Sequence, residues 1–187
     1  RPPRSTLFPY TTLFRSPESI VRLLDMGMDP FNFADALLGV LAQRLAKRLC
    51  SKCKKAYHPD EAEIRHLLDE YCEDLMQTTA FREDPERARG QIFDTWRQRH
   101  ADSKGRFTLY QPVGCEHCTG GYKGRLGLHE LMIGSDPVKA LIQERARVAS
   151  LLATALDEGM RTLRQDGIEK VLAGLTDLKQ VRKVCIR

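Results

Sequence analysis

Two Cys-x-x-Cys pairs, Cys50-Ser-Lys-Cys53 and Cys115-Glu-His-Cys118, constrain this 187-residue chain more than any other feature. A two-residue spacer lets two sulfurs converge on one ion, and two such knuckles complete a tetrahedral thiolate set of the kind that holds zinc. Whatever the fold, it must close these two stretches on each other across the 61 residues that separate them. A disulfide framework is the competing reading. Nothing else in the chain looks secreted, and paired Cys-x-x-Cys knuckles in a reducing compartment suit metal better than staples. Four thiolates fill a tetrahedral shell, so the expected role is structural rather than catalytic. The expected ligands are Cys50, Cys53, Cys115 and Cys118. Cys72 and Cys185 have no partner in the pattern and read as idle thiols.

The formal charge of +5 is unevenly distributed. Residues 1–16 carry Arg1, Arg4 and Arg15 and no acid, which leaves 27 basic against 25 acidic side chains in the rest. A near-neutral body argues against nucleic acid as the main partner, because phosphate binding needs a concentrated basic face. Residues 1–16 also contain three prolines, little periodicity and a repeated Thr-Leu-Phe. They resemble a translated sequencing-adapter read-through and are set aside from the fold as a disordered, non-native tail. No apolar run approaches the ~20 residues needed to cross a bilayer. No secretory h-region is present either, so a cytoplasmic location is expected.

From Ser16 onward helical signals dominate. Ser16 and Pro17 open a helix carrying Ile20, Leu23 and Leu24, which Gly27 ends. Asp29-Pro30 breaks the chain, and the spacing of Leu37, Leu38, Leu41 and Leu45 predicts a second helix over 33–49 that delivers the chain into Cys50. Between the knuckles, Ile64, Leu67, Leu68, Tyr71, Leu75 and Met76 predict a helix over 60–77. After a break at 78–83, Asp84-Pro85 begins another with Ala88, Ile92 and Trp96 on one face. The segment reads as a helical hairpin added to the metal module, with its apolar stripe packed on the body. A partner-binding helix pair is the sharper alternative. Phe107–Tyr110 is a short strand candidate, and Gly120, Gly121, Gly124 and Gly127 punctuate a turn-rich ribbon into Leu128–Met132. Three helices should follow, from Asp136-Pro137, through Leu151–Leu156 and from Thr162 to Leu172, with Thr176 capping a last one. The fold class expected is mainly α with a small β-containing, zinc ribbon-like lobe.

Other candidate site residues are weak. His117 sits between two cysteines that already fill the shell. His129 and Glu130 are adjacent on a strand and so face opposite ways. His58, His66 and His100 are scattered. Arg44 and Arg125 suit an ion pair or, across a subunit boundary, contact with a transferred phosphate. A zinc hydrolase would need an open coordination position and a placed carboxylate base, and neither is apparent.

Several runs together resemble the C-terminal part of the type II secretion and type IV pilus assembly ATPases. They are Leu23-Leu24-Asp25-Met26-Gly27, Leu38-Gly39-Val40-Leu41-Ala42-Gln43-Arg44-Leu45, Leu49-Cys50, Gly121-Tyr122-Lys123-Gly124-Arg125-Leu126-Gly127-Leu128-His129-Glu130-Leu131, and Gly159-Met160-Arg161-Thr162-Leu163-Arg164-Gln165-Asp166-Gly167 on to Leu172-Ala173-Gly174-Leu175-Thr176. The resemblance covers about residues 17–59 and 107–187, whereas 60–106 exceeds the family's shorter spacer. It implies a parent with an α/β RecA-like motor that hydrolyses ATP with Mg2+ as a homo-hexameric ring. Such a ring sits at the inner membrane and works with a membrane-embedded platform protein. It also implies a division into the helical end of the motor (17–49), a tetracysteine zinc lobe (50–59 and 107–130), an inserted helical segment (60–106) and a helical subdomain (131–187). The family's nucleotide-binding motifs would precede residue 17, and no Gly-x-x-x-x-Gly-Lys-[Ser/Thr] occurs in the chain. Without it no group grips the β/γ-phosphates, so this chain alone is expected to be inactive. A free-standing zinc-ribbon adaptor that binds protein or nucleic acid is the alternative; it explains the cysteines but not the family-like runs.

Overall fold

A computed structural model describes residues 16–185. The elements in chain order are α1 (Ser16–Asp25), α2 (Pro30–Ala36), β1 (Gly39–Leu49), β2 (Lys55–Tyr57), α3 (Glu61–Cys72), a 3₁₀ turn (Glu73–Leu75), α4 (Thr79–Glu83), α5 (Pro85–His100), β3 (Leu109–Gln111), β4 (Tyr122–Ile133), α6 (Asp136–Gln143), α7 (Val148–Asp157), α8 (Leu163–Leu172) and α9 (Leu178–Val184). About half of the described chain is helical, with two small antiparallel sheets, β1–β4 and β2–β3. Most of the set-aside tail lies outside the described residues. Ser16 alone falls inside, as the first, fully buried residue of α1 rather than the end of a tail.

The main departure from the sequence reading is β1. Residues 33–49 do not form one helix: α2 stops at Ala36 and the chain runs extended from Gly39 to Leu49. The i,i+4 leucines suggested a helical stripe, but the decisive pattern has period two. β1 pairs with β4 from Gly39↔Ile133 to Leu49↔Tyr122, with one irregularity between Lys47 and Leu49. Val40, Ala42, Arg44 and Ala46 therefore turn inward, while Leu41 and Leu45 face out and are exposed. Strand pairing with a distant segment overrides the helix propensity of Leu, Ala, Gln, Arg and Lys. Local interactions alone cannot reveal that choice.

The inward side of the ribbon joins the cores. Met132 packs with Ile20, Leu24, Ala34, Val138, Ile142 and Leu151, drawn from α1, α2, α6 and α7. Farther along, Leu128 meets Ala46 and Leu163. The segment between the knuckles builds the remaining core: Ile64, Leu67, Leu68 and Tyr71 of α3 and Trp96 of α5 pack with Ile168, Val171, Leu172 of α8 and Val181 of α9. The inserted hairpin thus lays its stripe on the body, where Trp96 meets Tyr71 edge-on at 5.2 Å.

Caps follow the sequence with small shifts. Asp29, Asp60 and Asp84 each accept a backbone N–H at a helix start, and Thr162 forms a capping box with Gln165. Ser135 rather than Asp136 caps α6, and Asp177 rather than Thr176 caps α9. Thr176 instead donates to the Lys47 carbonyl, because the turn before α9 lies against the end of β1. The expected break at 78–83 contains the one-turn helix α4, held by Phe81 in the core.

Candidate metal centre

The two knuckles close the mouth of the β1–β4 ribbon. Cys50 follows β1 directly, and its N–H donates to the Gly121 carbonyl at 2.9 Å, just before β4. Every residue of the inserted segment therefore leaves and returns through one neck. Within the first knuckle the Lys54 N–H donates to the Cys50 carbonyl at 3.0 Å; in the second the Cys118 N–H donates to Cys115 at 3.2 Å. Gly121 is required at the neck. Its φ is +90°, and a Cβ there would lie 2.4 Å from Pro112 Cβ.

All four Sγ atoms lie within 4.8 Å of one another. Cys50–Cys115 is 3.9 Å, Cys53–Cys118 3.6 Å and Cys115–Cys118 3.7 Å. A tetrahedron with metal–sulfur bonds of ~2.3 Å has edges of ~3.8 Å, so the set has the dimensions of a closed thiolate shell. Backbone N–H groups of Gly114 and Cys115 point at Cys53 Sγ (3.4 Å) and Cys118 Sγ (3.3 Å), which favours sulfur as thiolate. Burial pushes the Cys53 thiol up to about 11. At Cys118 burial also acts upward, but the Cys115 N–H and the neighbouring thiols outweigh it and bring the group down to about 7. Four cysteines in this arrangement could hold a metal ion.

The lobe is tied to the helical body through the α8–α9 turn. Lys54, next to Cys53, donates to the Gly174 carbonyl at 2.7 Å and stacks over the Tyr110 ring at 4.0 Å. Leu49 N–H donates to the Leu175 carbonyl at 2.9 Å. Tyr122 OH donates to Asp177 Oδ2 at 2.6 Å, while Asp177 Oδ1 caps α9. Movement of the knuckles and of α9 must therefore be linked.

The remaining candidates fall outside the centre. His117 turns outward to Glu116 at 3.3 Å. His58 meets the Phe107 carbonyl, His66 meets Glu70 and His100 meets Glu169. His129 is exposed beside Gln43 whereas Glu130 is fully buried, the opposite-face arrangement that strand geometry demands. Arg44 is half-buried and Arg125 exposed, and neither has a carboxylate partner among the described residues. Cys72 is buried, which pushes its thiol up to about 11, as suits an inert group. Sequence reasoning missed Glu130 as a structural hub. Its carboxylate accepts the Ser16 N–H at 2.7 Å and the Leu163 N–H at 3.3 Å, so it bridges the starts of α1 and α8. The signal was the run Leu128-His129-Glu130-Leu131-Met132, whose period of two places Glu130 between two core residues.

Residues 13–183 match the family described as type II/IV secretion system protein. That match begins within the N-terminal residues set aside and runs through 60–106. The type IV pilus assembly ATPase PilB of Pseudomonas aeruginosa is 33% identical over 167 residues, 89% of this chain and 24% of that protein. PilB of Thermus thermophilus is 36% identical over 166 residues, 88% of this chain and 15% of its own length. The type II secretion system ATPase E of Vibrio cholerae is 33% identical over 171 residues, 89% of this chain and 27% of its own. The chain thus spans between 15% and 27% of the length of these relatives.

Proposed function

The chain belongs to the type II/IV secretion system protein family, and from that membership we propose that it is the zinc-binding and C-terminal helical region of a hexameric ATPase that powers type II secretion or type IV pilus assembly. The observation that carries the reading is the convergence of Cys50, Cys53, Cys115 and Cys118 at tetrahedral edge lengths, in a chain similar over nearly its whole length to such ATPases. Zinc bound there would supply a cross-link between the ends of β1 and β4, not a Lewis acid. The chain's own residues do the rest. Lys54, Tyr122 and Thr176 pass the position of the lobe to α8 and α9.

In this reading residues 17–49 end the RecA-like motor, 50–59 with 107–130 form the zinc lobe, 60–106 are an insertion braced on 131–187, and the parent works in the cytoplasm. ATP and Mg2+ are bound by the parent outside these residues. The lobe passes motor movement to an inner-membrane platform protein. No helix among the described residues is long and apolar enough to cross a membrane, so that contact would be peripheral.

Native mass spectrometry with thiol counting tests the centre. One zinc per chain should be found, with four thiols protected until a chelator is added. Metal-free protein with Cys50 and Cys115 alkylating independently would remove the basis of the assignment. An ATPase assay tests the rest: the 187-residue chain should turn over no ATP, and a parent frame carrying a phosphate loop should.

A further inference from the structure

Between α3, α5 and the β2–β3 sheet lies a cavity of about 860 Å³ that opens to solvent. Along α5 it is lined by Glu86, Arg89, Phe93 and Arg97, one stripe that runs for about 16 Å at 1.5 Å per residue. From α3 come Ile64, Arg65 and Leu68, and beside the sheet His58 Nδ1 meets the Phe107 carbonyl at 2.9 Å. The floor is apolar. Ile64, Leu68 and Phe107 are buried, and the rings of Phe93 and Phe107 lie 5.9 Å apart.

The charge around this groove is unlike that of the segment that forms it. Residues 60–106 carry twelve acids and eight lysines and arginines, yet four of those cations and only three of those acids line the groove. The three acids are already balanced. Asp60 caps α3, and Glu61 and Glu86 lie in first helical turns, where the backbone dipole favours negative charge. Two of the cations are paired as well, Arg89 with Asp69 and Arg106 with Asp102. Arg65 and Arg97 are exposed and have no carboxylate partner among the described residues. Asp102, the acid at the turn after α5, is committed to the Lys104 and Arg106 N–H groups. The Arg97 guanidinium instead lies against that turn, where a Cβ added to Gly105 would be 3.3 Å from Nη2.

We propose that this groove binds an acidic amphipathic helix of a partner protein. Three turns of helix match the 16 Å stripe of α5, and apolar side chains at i, i+3 and i+7 would cover the Phe93 and Phe107 floor. Carboxylates flanking that apolar face would meet Arg65 and Arg97, whose planar guanidinium groups suit paired hydrogen bonds to an acid. A nucleic acid or an anionic bilayer fits less well. Either would extend past the groove and meet the nine other acids of residues 60–106. The proposal does not rest on the ATPase reading, since neither nucleotide nor metal chemistry enters it.

The test selects phage-displayed random peptides of about four helical turns on the zinc-loaded chain, with the Arg65→Glu/Arg97→Glu chain as counter-selection. The enriched pool should be net acidic, with apolar residues at helical spacing. A labelled peptide from that pool, followed by fluorescence anisotropy, should bind roughly tenfold more weakly to Arg65→Gln/Arg97→Gln and more weakly as salt rises. Arg87→Gln/Arg99→Gln, at exposed positions of α5 outside the groove, should bind as wild type does. No enrichment, a pool without net acidity, or equal binding to the Arg65→Gln/Arg97→Gln chain overturns the proposal. So does self-association of the wild-type chain that Arg65→Glu/Arg97→Glu abolishes, because the groove would then hold a second copy.

Discussion

Glu130→Leu isolates the internal support of the ribbon. Glu130 is fully buried, and its two carboxylate oxygens are the acceptors for Ser16 N–H and Leu163 N–H at the first turns of α1 and α8. Leucine removes both acceptors and leaves two buried donors, each worth about 1–3 kcal/mol. It also removes a negative charge from two helix N-termini, where an anion is favourable by about 0.3–1 kcal/mol each. Relief from desolvating the carboxylate offsets part of this. The expected net loss is about 4 kcal/mol, or a Tm lower by roughly 8–16 °C for a domain of this size. Glu130→Gln keeps one oxygen and should fall between wild type and Leu. His129→Leu, one residue away on the exposed side, should stay within about 0.5 kcal/mol. Urea unfolding at saturating zinc, followed by circular dichroism, reads all three. A Leu variant within about 1 kcal/mol of wild type would refute the bridging role; so would a Gln variant worse than Leu.

Gly174 has φ +70°, and a Cβ there would lie 2.5 Å from the Tyr110 ring and 3.3 Å from Lys54 Nζ. Gly174→Ala should therefore cost about 2–3 kcal/mol, against about 1 kcal/mol for Gly120→Ala, whose φ is positive but whose surroundings are open; chemical denaturation of both variants checks the difference. Burial, and then the Asp177 carboxylate, raise Tyr122 from 10.0 to about 12. The unfolded chain therefore releases this proton first, and the contribution of Tyr122, intact below pH 10, is lost as pH rises towards 12. Tyr122→Phe should show a shallower alkaline loss of Tm, and an unchanged slope would dismiss this account. Trp96 is the single tryptophan and lies between α3 and α8, with its indole N–H on Glu169 at 3.3 Å. Its fluorescence should report the same unfolding midpoint as circular dichroism, because the inserted segment shares a core with α8 and α9; a separate, earlier transition would show that it folds by itself.

The sequence by itself determined most helix positions and which four cysteines to look for together. Asp-Pro signals at 84–85 and 136–137 placed helix starts because a cap is satisfied within one turn of chain. Apolar periodicity found α3, α5, α7 and α8 for the same reason. The two Cys-x-x-Cys pairs pointed to the four sulfurs that the structure brings together, because spacing within a knuckle is short-range geometry. Only the tertiary structure decided whether residues 39–49 were helix or strand, since their backbone partners lie about 80 positions away in β4. It also turned Glu130 into a bridge between two helix starts. A buried acceptor of this kind belongs to no one segment: it arises where distant segments meet, and their contact free energy outweighs what each segment would choose alone.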